Sequence, residues 1–140
     1  MIHCLLPTQD RVHRLGVDKG GQPGQCRVCH QEVEDIRHAL YLCPHSLVAG
    51  HALLGYAQKM VPNITPEDTL KLNFGVGLQS EEELATVCLL ATGWKYIWEA
   101  KVDKKQVTLF KMRAELEAVI TILRKSRHRT SGEIMLGMMN

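Results

Sequence analysis

The sequence predicts a mainly α-helical protein: a small Cys-Cys-His-Cys knuckle, then a helical bundle that ends in a long antiparallel helical hairpin. Three observations predict it. Strict apolar–polar alternation of the kind a half-buried strand needs appears nowhere at length. Two apolar stripes of matched helical period, at Leu84–Trp98 and Leu109–Leu123, stand on either side of a short link. Three cysteines and one histidine fall within the 18 residues from Cys26 to Cys43. The expected organisation is an N-terminal helix and knuckle over 1–46, a helical region ending in the hairpin over 47–129, and a disordered tail over 130–140.

Taken in order, residues 5–15 read as a short helix, with Thr8 as its N-cap and Gly16 just past its end. Residues 17–25 are a Gly-rich loop closed by Pro23 and Gly24. A helix over Glu34–Tyr41 carries His38. Pro44 suits the first position of another helix, in which Leu47, Val48, His51, Leu54 and Ala57 recur at three-to-four spacing up to Met60. Thr65, Pro66, Glu67 and Asp68 start a short helix that runs to Phe74 and stops at Gly75 and Gly77.

Ser80 and Glu83 form a capping-box pattern, followed by the stripe Leu84, Val87, Ala91, Trp94 and Trp98. The second stripe, Leu109, Met112, Leu116, Val119 and Leu123, begins near Thr108. The link Lys101–Val107 makes the pair a helical hairpin. The last residues have no partner visible in the sequence and are expected to fray, although their Met-rich character also suits docking on a core.

Composition bounds the rest. Of 140 residues, 45% are hydrophobic and 23% charged, enough for one globular core, and only 5% are aromatic, so that core is chiefly aliphatic. The longest apolar run, Leu84–Ala91, is interrupted by Thr86 and falls short of the ~18 residues of a membrane span. Met1–Pro7 has neither the basic start nor the apolar stretch of a secretory leader. The expectation is an intracellular protein, nuclear or cytoplasmic, not in a membrane. In that reducing setting clustered cysteines read as metal ligands, not disulfides.

The ligand spacing is Cys26-x2-Cys29-x8-His38-x4-Cys43. Three thiolates and one imidazole are a standard tetrahedral set for structural zinc, so one structural Zn2+ is expected on Cys26, Cys29, His38 and Cys43. A Cys-x2-Cys pair makes a tight turn whose amides can donate to sulfur, and Gly24 eases it. His38 and Cys43 lie just over one helical turn apart, and Pro44 favours a helix end at Cys43. His30 and His45 are placed beside the ligands, and Cys88 reads as a core thiol. Four protein ligands leave no open position for catalysis.

The residues Leu6, Pro7, Thr8, Arg11, Arg14 and Leu15, then Cys26, Cys29, the acidic pair Glu34–Asp35, His38, Cys43 and Pro44, resemble the zinc-binding domain of non-LTR retrotransposon reverse transcriptases. The match covers about residues 5–46, and Trp94–Ala100 resembles the segment that follows more loosely. The resemblance implies that Cys26, Cys29, His38 and Cys43 are the four zinc ligands and that the chain is a detached piece without its polymerase. That polymerase needs a Tyr-x-Asp-Asp turn, and this chain has no Asp-Asp pair.

No other catalytic pattern is present. Gly20–Gly21 and Gly75–Gly77 match neither dinucleotide nor Walker loops, no nucleophile elbow occurs, and His51 reads as a partly buried helix residue. The protein is expected not to be an enzyme.

Charge is polarised. His30–Ala100 holds 4 Lys/Arg against 9 Asp/Glu, whereas Lys101–Arg129 holds 9 against 3. Such asymmetry fits either a solvated helix face or a polyanionic partner, and beside a zinc knuckle that partner would be RNA or DNA. The candidate contacts are Arg11, Arg14 and Arg27 near the knuckle, and Arg124, Lys125, Arg127 and Arg129 at the end of the last helix. The alternatives are a protein-interaction or self-associating module, using Trp94, Ile97 and Trp98 on more than one hairpin face, and a remnant with no retained function.

Overall fold

The computed structural model describes residues 24–71 and 80–140. The helix expected over 5–15, Cys4, Arg11 and Arg14, the end of the helix drawn to Phe74, and Gly75 and Gly77 lie outside the described residues. Within them the protein is mainly helical, with a single isolated antiparallel bridge between Gln25 and Val33.

Gly24–Glu34 forms a tight loop, closed by Cys26 N–H to the Glu32 carbonyl (2.7 Å) and Glu34 N–H to the Gly24 carbonyl (2.7 Å). Gly24 has φ 66°, a left-handed conformation that glycine adopts at no steric cost. The chain then turns helical and passes through a π turn, His38–Leu42. After it come α1 (Leu47–Ala57), α2 (Pro66–Leu70), α3 (Glu81–Val102), α4 (Leu109–Arg124) and α5 (Arg129–Met139). No helix among the described residues is long and apolar enough to cross a membrane.

Three of the starts follow the sequence signals. Thr65 caps α2 in a capping box with Asp68, Ser80 accepts from the Glu83 amide at 3.1 Å, and Thr108 accepts from the Lys111 amide at 3.2 Å. The helix expected from Pro44 starts three residues later, because Cys43–Ser46 is a turn in which Ser46 Oγ donates to the Ala39 carbonyl (2.7 Å).

α3 is the hub, packing against α1, α4, α5 and the π turn. The single stripe read from the sequence is therefore too narrow a description. Ala85, Leu89, Leu90, Gly93, Trp94, Ile97, Trp98, Ala100 and Lys101 are all buried, while Leu84, Val87 and Ala91 are only partly so. A helix with neighbours on several sides buries several faces. Trp94, Ile97 and Trp98, read as a multi-faced apolar surface, are covered within this chain. On α4 the buried residues are Met112, Leu116 and Ile120, with Val119 and Leu123 flanking and Leu109 exposed.

The disordered tail expected over 130–140 is instead helix α5. Met135, Met138 and Met139 are buried in the core, and α5 packs on α3 and α4. Both its ends are tied. At the start Ser131 Oγ donates to the Glu81 carbonyl (3.1 Å) and also meets the Glu81 carboxylate; at the end Arg113 Nη1 donates to the Met139 carbonyl (3.2 Å) and Lys59 Nζ to the Asn140 carbonyl. These partners lie far away in sequence, and within the segment itself only its Met-rich character speaks for docking.

Gly93 lets α1 and α3 touch: a Cβ there would come within 2.5 Å of the Leu53 side chain. Gly93→Ala should therefore lower stability by about 1–3 kcal/mol through overpacking. Gly55→Ala, on an exposed face of α1 with nothing within 4 Å of the new methyl, should raise it by about 0.5–1 kcal/mol. Urea unfolding followed by circular dichroism checks both, and a neutral Gly93→Ala would contradict the packing.

Candidate metal centre

The four ligand atoms of Cys26, Cys29, His38 and Cys43 all lie within 4.8 Å of one another. Cys26 Sγ is 4.0 Å from Cys43 Sγ, and Cys29 Sγ is 3.3 Å from His38 Nε2. Cys26, His38 and Cys43 are buried and Cys29 is half-buried. This Cys3His group is able to hold a metal ion.

Local backbone geometry explains the spacing. Cys26 and Cys29 occupy one turn, in which His30 N–H donates to the Cys26 carbonyl (3.1 Å) and the Val28 and Cys29 amides donate toward Cys26 Sγ. His30 leaves that turn at φ 58°, exposed, and is not part of the cluster. On the other side, the Cys43 amide donates to the His38 carbonyl at 2.8 Å. That i→i+5 bond makes one wide turn, so residues five apart come to the same side, where an α-helix would leave them more than a turn apart. His45 is exposed beside it.

The acidic residues around the cluster each have a position in it. Asp35 Oδ1 accepts from the His38 amide at 2.7 Å and starts the helical turn. Glu32 Oε2 stands 3.4 Å from His38 Nδ1, facing the nitrogen turned away from the thiols, although without hydrogen-bond alignment. A carboxylate on the outer nitrogen of a ligating histidine fixes ring orientation and raises its basicity. Glu34 is fully buried and meets Arg27 Nη2 at 3.0 Å.

The remaining partner comes from α3. Lys101 is 1% exposed, and its Nζ lies 3.8 Å from Cys26 Sγ, 3.9 Å from Glu34 Oε2 and 3.4 Å from the Ala39 carbonyl. Arg27 also sits over the Trp98 ring at 4.8 Å, one helical turn before Lys101. These contacts fasten the cysteine loop to the C-terminal part of α3.

Thiol and imidazole acidity follow this environment. Burial pushes the Cys26 thiol up to about 11, against the amides of Cys29 and Val28 and the Lys101 charge. For Cys29, burial is outweighed by hydrogen bonds, chiefly from the Gln31 amide and the Cys26 thiol, and its thiol falls below the ordinary value. Burial, then Lys101, holds the His38 imidazole below its usual 6.5, keeping it neutral and free to ligate.

Other residues singled out from the sequence lie elsewhere. Cys88 is half-buried against the core, and burial raises its thiol. His51 is exposed, with its ring centroid 6.1 Å from that of Tyr41 in an edge-to-face arrangement. Arg27 is held between Glu34 and Trp98. Arg124, Lys125, Arg127 and Arg129 are exposed around the α4–α5 turn, with Arg124 paired to Glu133 at 2.8 Å. Lys101 is the member the sequence does not point to, and Glu34 shows there only as half of the acidic pair before His38. The one signal for Lys101 is its place on the Trp94–Trp98 face, where a lysine at that period points inward.

No protein-family model matches the chain, and no curated protein or solved structure matches it either.

Two outcomes follow from this arrangement. Lys101→Met leaves Glu34 short of a buried cation and should destabilise the protein by about 3 kcal/mol in chemical unfolding, whereas Lys104→Met, on the exposed turn, should change little. Because the His38 imidazole is depressed when folded, it contributes stability that is full above 6.5 and lost as pH falls through the lower folded value. Metal occupancy, followed by native mass spectrometry from pH 7 downward, should therefore persist at pH 6.5 and fall below it. Loss already complete at neutral pH would contradict a neutral, buried ligand.

Proposed function

We propose that this protein is a non-catalytic, structural-zinc module that binds RNA or DNA through a basic surface remote from its metal. The observation that carries the metal half is the Cys3His cluster itself, its ligand atoms within 4.8 Å and mostly buried. Zinc is the ion supported best. Tetrahedral zinc with bonds of about 2.3 Å to sulfur and about 2.0 Å to nitrogen sets sulfur–sulfur separations of about 3.8 Å and sulfur–nitrogen separations of about 3.5 Å. The observed 4.0 and 3.3 Å need only small shifts to meet them.

Charge supports the same reading. A zinc ion with three thiolates and a neutral imidazole carries one net negative charge. With Glu34, Lys101 and Arg27 the buried set is neutral, as buried charges require. Four protein ligands close the coordination sphere, so the metal's work is to fold the loop onto α3, and no substrate position remains at it. Free thiols at all four described cysteines suit a reducing intracellular compartment, nucleus or cytoplasm.

The nucleic-acid half rests on Arg124, Lys125, Arg127 and Arg129, exposed on one turn. That is more cation than one helix C-terminus needs. The turn also stands far from the metal: Glu81 at the start of α3 touches Ser131, while Lys101 near its end touches Cys26, a separation of roughly 30 Å along the helix. In this reading the acidic residues near the knuckle orient ligands, and the phosphate contacts come from the other end of α3. The resemblance of about residues 5–46 to the zinc-binding domain of retrotransposon reverse transcriptases supports the metal half.

The test is native mass spectrometry with and without chelator, joined to an RNA titration across salt. The expected result is one zinc ion per chain, lost in Cys26→Ser and in Cys43→Ser, and RNA affinity that falls steeply as salt rises. A mass without metal would remove the first half, and absent or salt-independent RNA binding the second.

A further inference from the structure

We infer that the open cleft between the end of α4 and the start of α5 is a seat for phosphodiester groups of a single nucleic-acid strand. The cleft has a volume of about 250 Å³ and is lined by Thr121, Arg124, Lys125 and Arg129. This deepens the proposed nucleic-acid reading and rests on it.

The sequence places three of these residues on one face. Thr121 and Arg124 lie on the last turn of α4 and Lys125 is its C-cap, at i, i+3 and i+4, so their stems form one wall. Arg129 is the first residue of α5 and closes the other side. Gly132 permits the approach: a Cβ there would come within 2.9 Å of Arg124 Cγ and 3.1 Å of the Arg124 backbone nitrogen. The two helices thus come close where Gly132 leaves no side chain, beside the residues that line the cleft.

Hydrogen bonding divides the four lining residues into two fixed and two available. The Thr121 hydroxyl donates to the Glu117 carbonyl (3.0 Å), and Arg124 Nε is fixed on Glu133 (2.8 Å). Lys125 and Arg129 are exposed and have no acidic partner among the described residues. Arg129 stands, moreover, at the positive end of a helix that starts without a side-chain cap. A cation at that position is unfavourable to its own helix, and an anion beside it relieves both charges. The stem-lined wall and the two free cations suit a phosphodiester, whose charge is single and whose flanking sugars are partly apolar.

The experiment uses the zinc-loaded protein and a labelled single-stranded RNA of about 20 nucleotides, titrated at several salt concentrations. Lys125→Gln with Arg129→Gln is compared with the wild type and with Lys104→Gln/Lys105→Gln on the exposed α3–α4 turn. Unfolding midpoints check that each variant is folded. Loss of two seated phosphates should reduce the slope of log affinity against log salt by about 1.4, while the control pair keeps the wild-type slope. A wild type that binds RNA and a cleft variant with unchanged slope overturns the seat and leaves the nucleic-acid reading standing. An equal loss in the control pair also overturns it, since diffuse charge would then suffice. A wild type without RNA binding overturns both, and inorganic phosphate bound in its stead would assign the cleft to a free ion.

Discussion

Lys101 extends from α3 into the space between the Cys26 sulfur and the Glu34 carboxylate, within 4 Å of each, and almost none of its surface reaches water. A lone ammonium or carboxylate in that position would cost several kcal/mol in lost hydration. The arrangement persists because the two charges meet each other and because Arg27 supplies a second cation to Glu34. The cysteine loop has little else to fold it: one backbone bridge, a few turn hydrogen bonds and hardly any apolar core of its own. In the proposed reading, metal binding would couple loop closure to the seating of α3, as small metal sites couple to folding.

The same constraint sets the division of labour along α3. Its C-terminal part is committed to the metal loop through Trp98 and Lys101, and its first turn is committed to α5 through Glu81 and Ser131. Between these ends Gly93 admits Leu53, and the helix is buried on most sides. The buried helix α3 thus separates the Cys3His cluster from an exposed basic turn.

The features legible in sequence are those encoded by neighbours. The four ligands show in their spacing because each pair is brought together by one local turn, and Thr65, Ser80 and Thr108 mark helix starts because a cap is a contact three residues long. What could not be read depends on distant partners. Lys101 finds Cys26 across 75 residues, and in isolation it counts only as one more positive charge in a basic third. α5 looks like a tail until Tyr56 is seen to share Arg113 with Met139, and until Glu81 holds Ser131. Arg27 looks like a phosphate contact because the Trp98 ring beneath it is 71 positions away. The acidic pair before His38 shows in the sequence, but its division into a helix cap, Asp35, and a buried counter-ion, Glu34, is a property of the fold.

The most direct test of this account is X-ray absorption at the zinc edge of the zinc-loaded protein. It predicts a first shell of three sulfurs at about 2.3 Å and one nitrogen at about 2.0 Å, with no oxygen ligand. Two sulfurs, or a shell completed by water, would contradict a closed site built from Cys26, Cys29, His38 and Cys43.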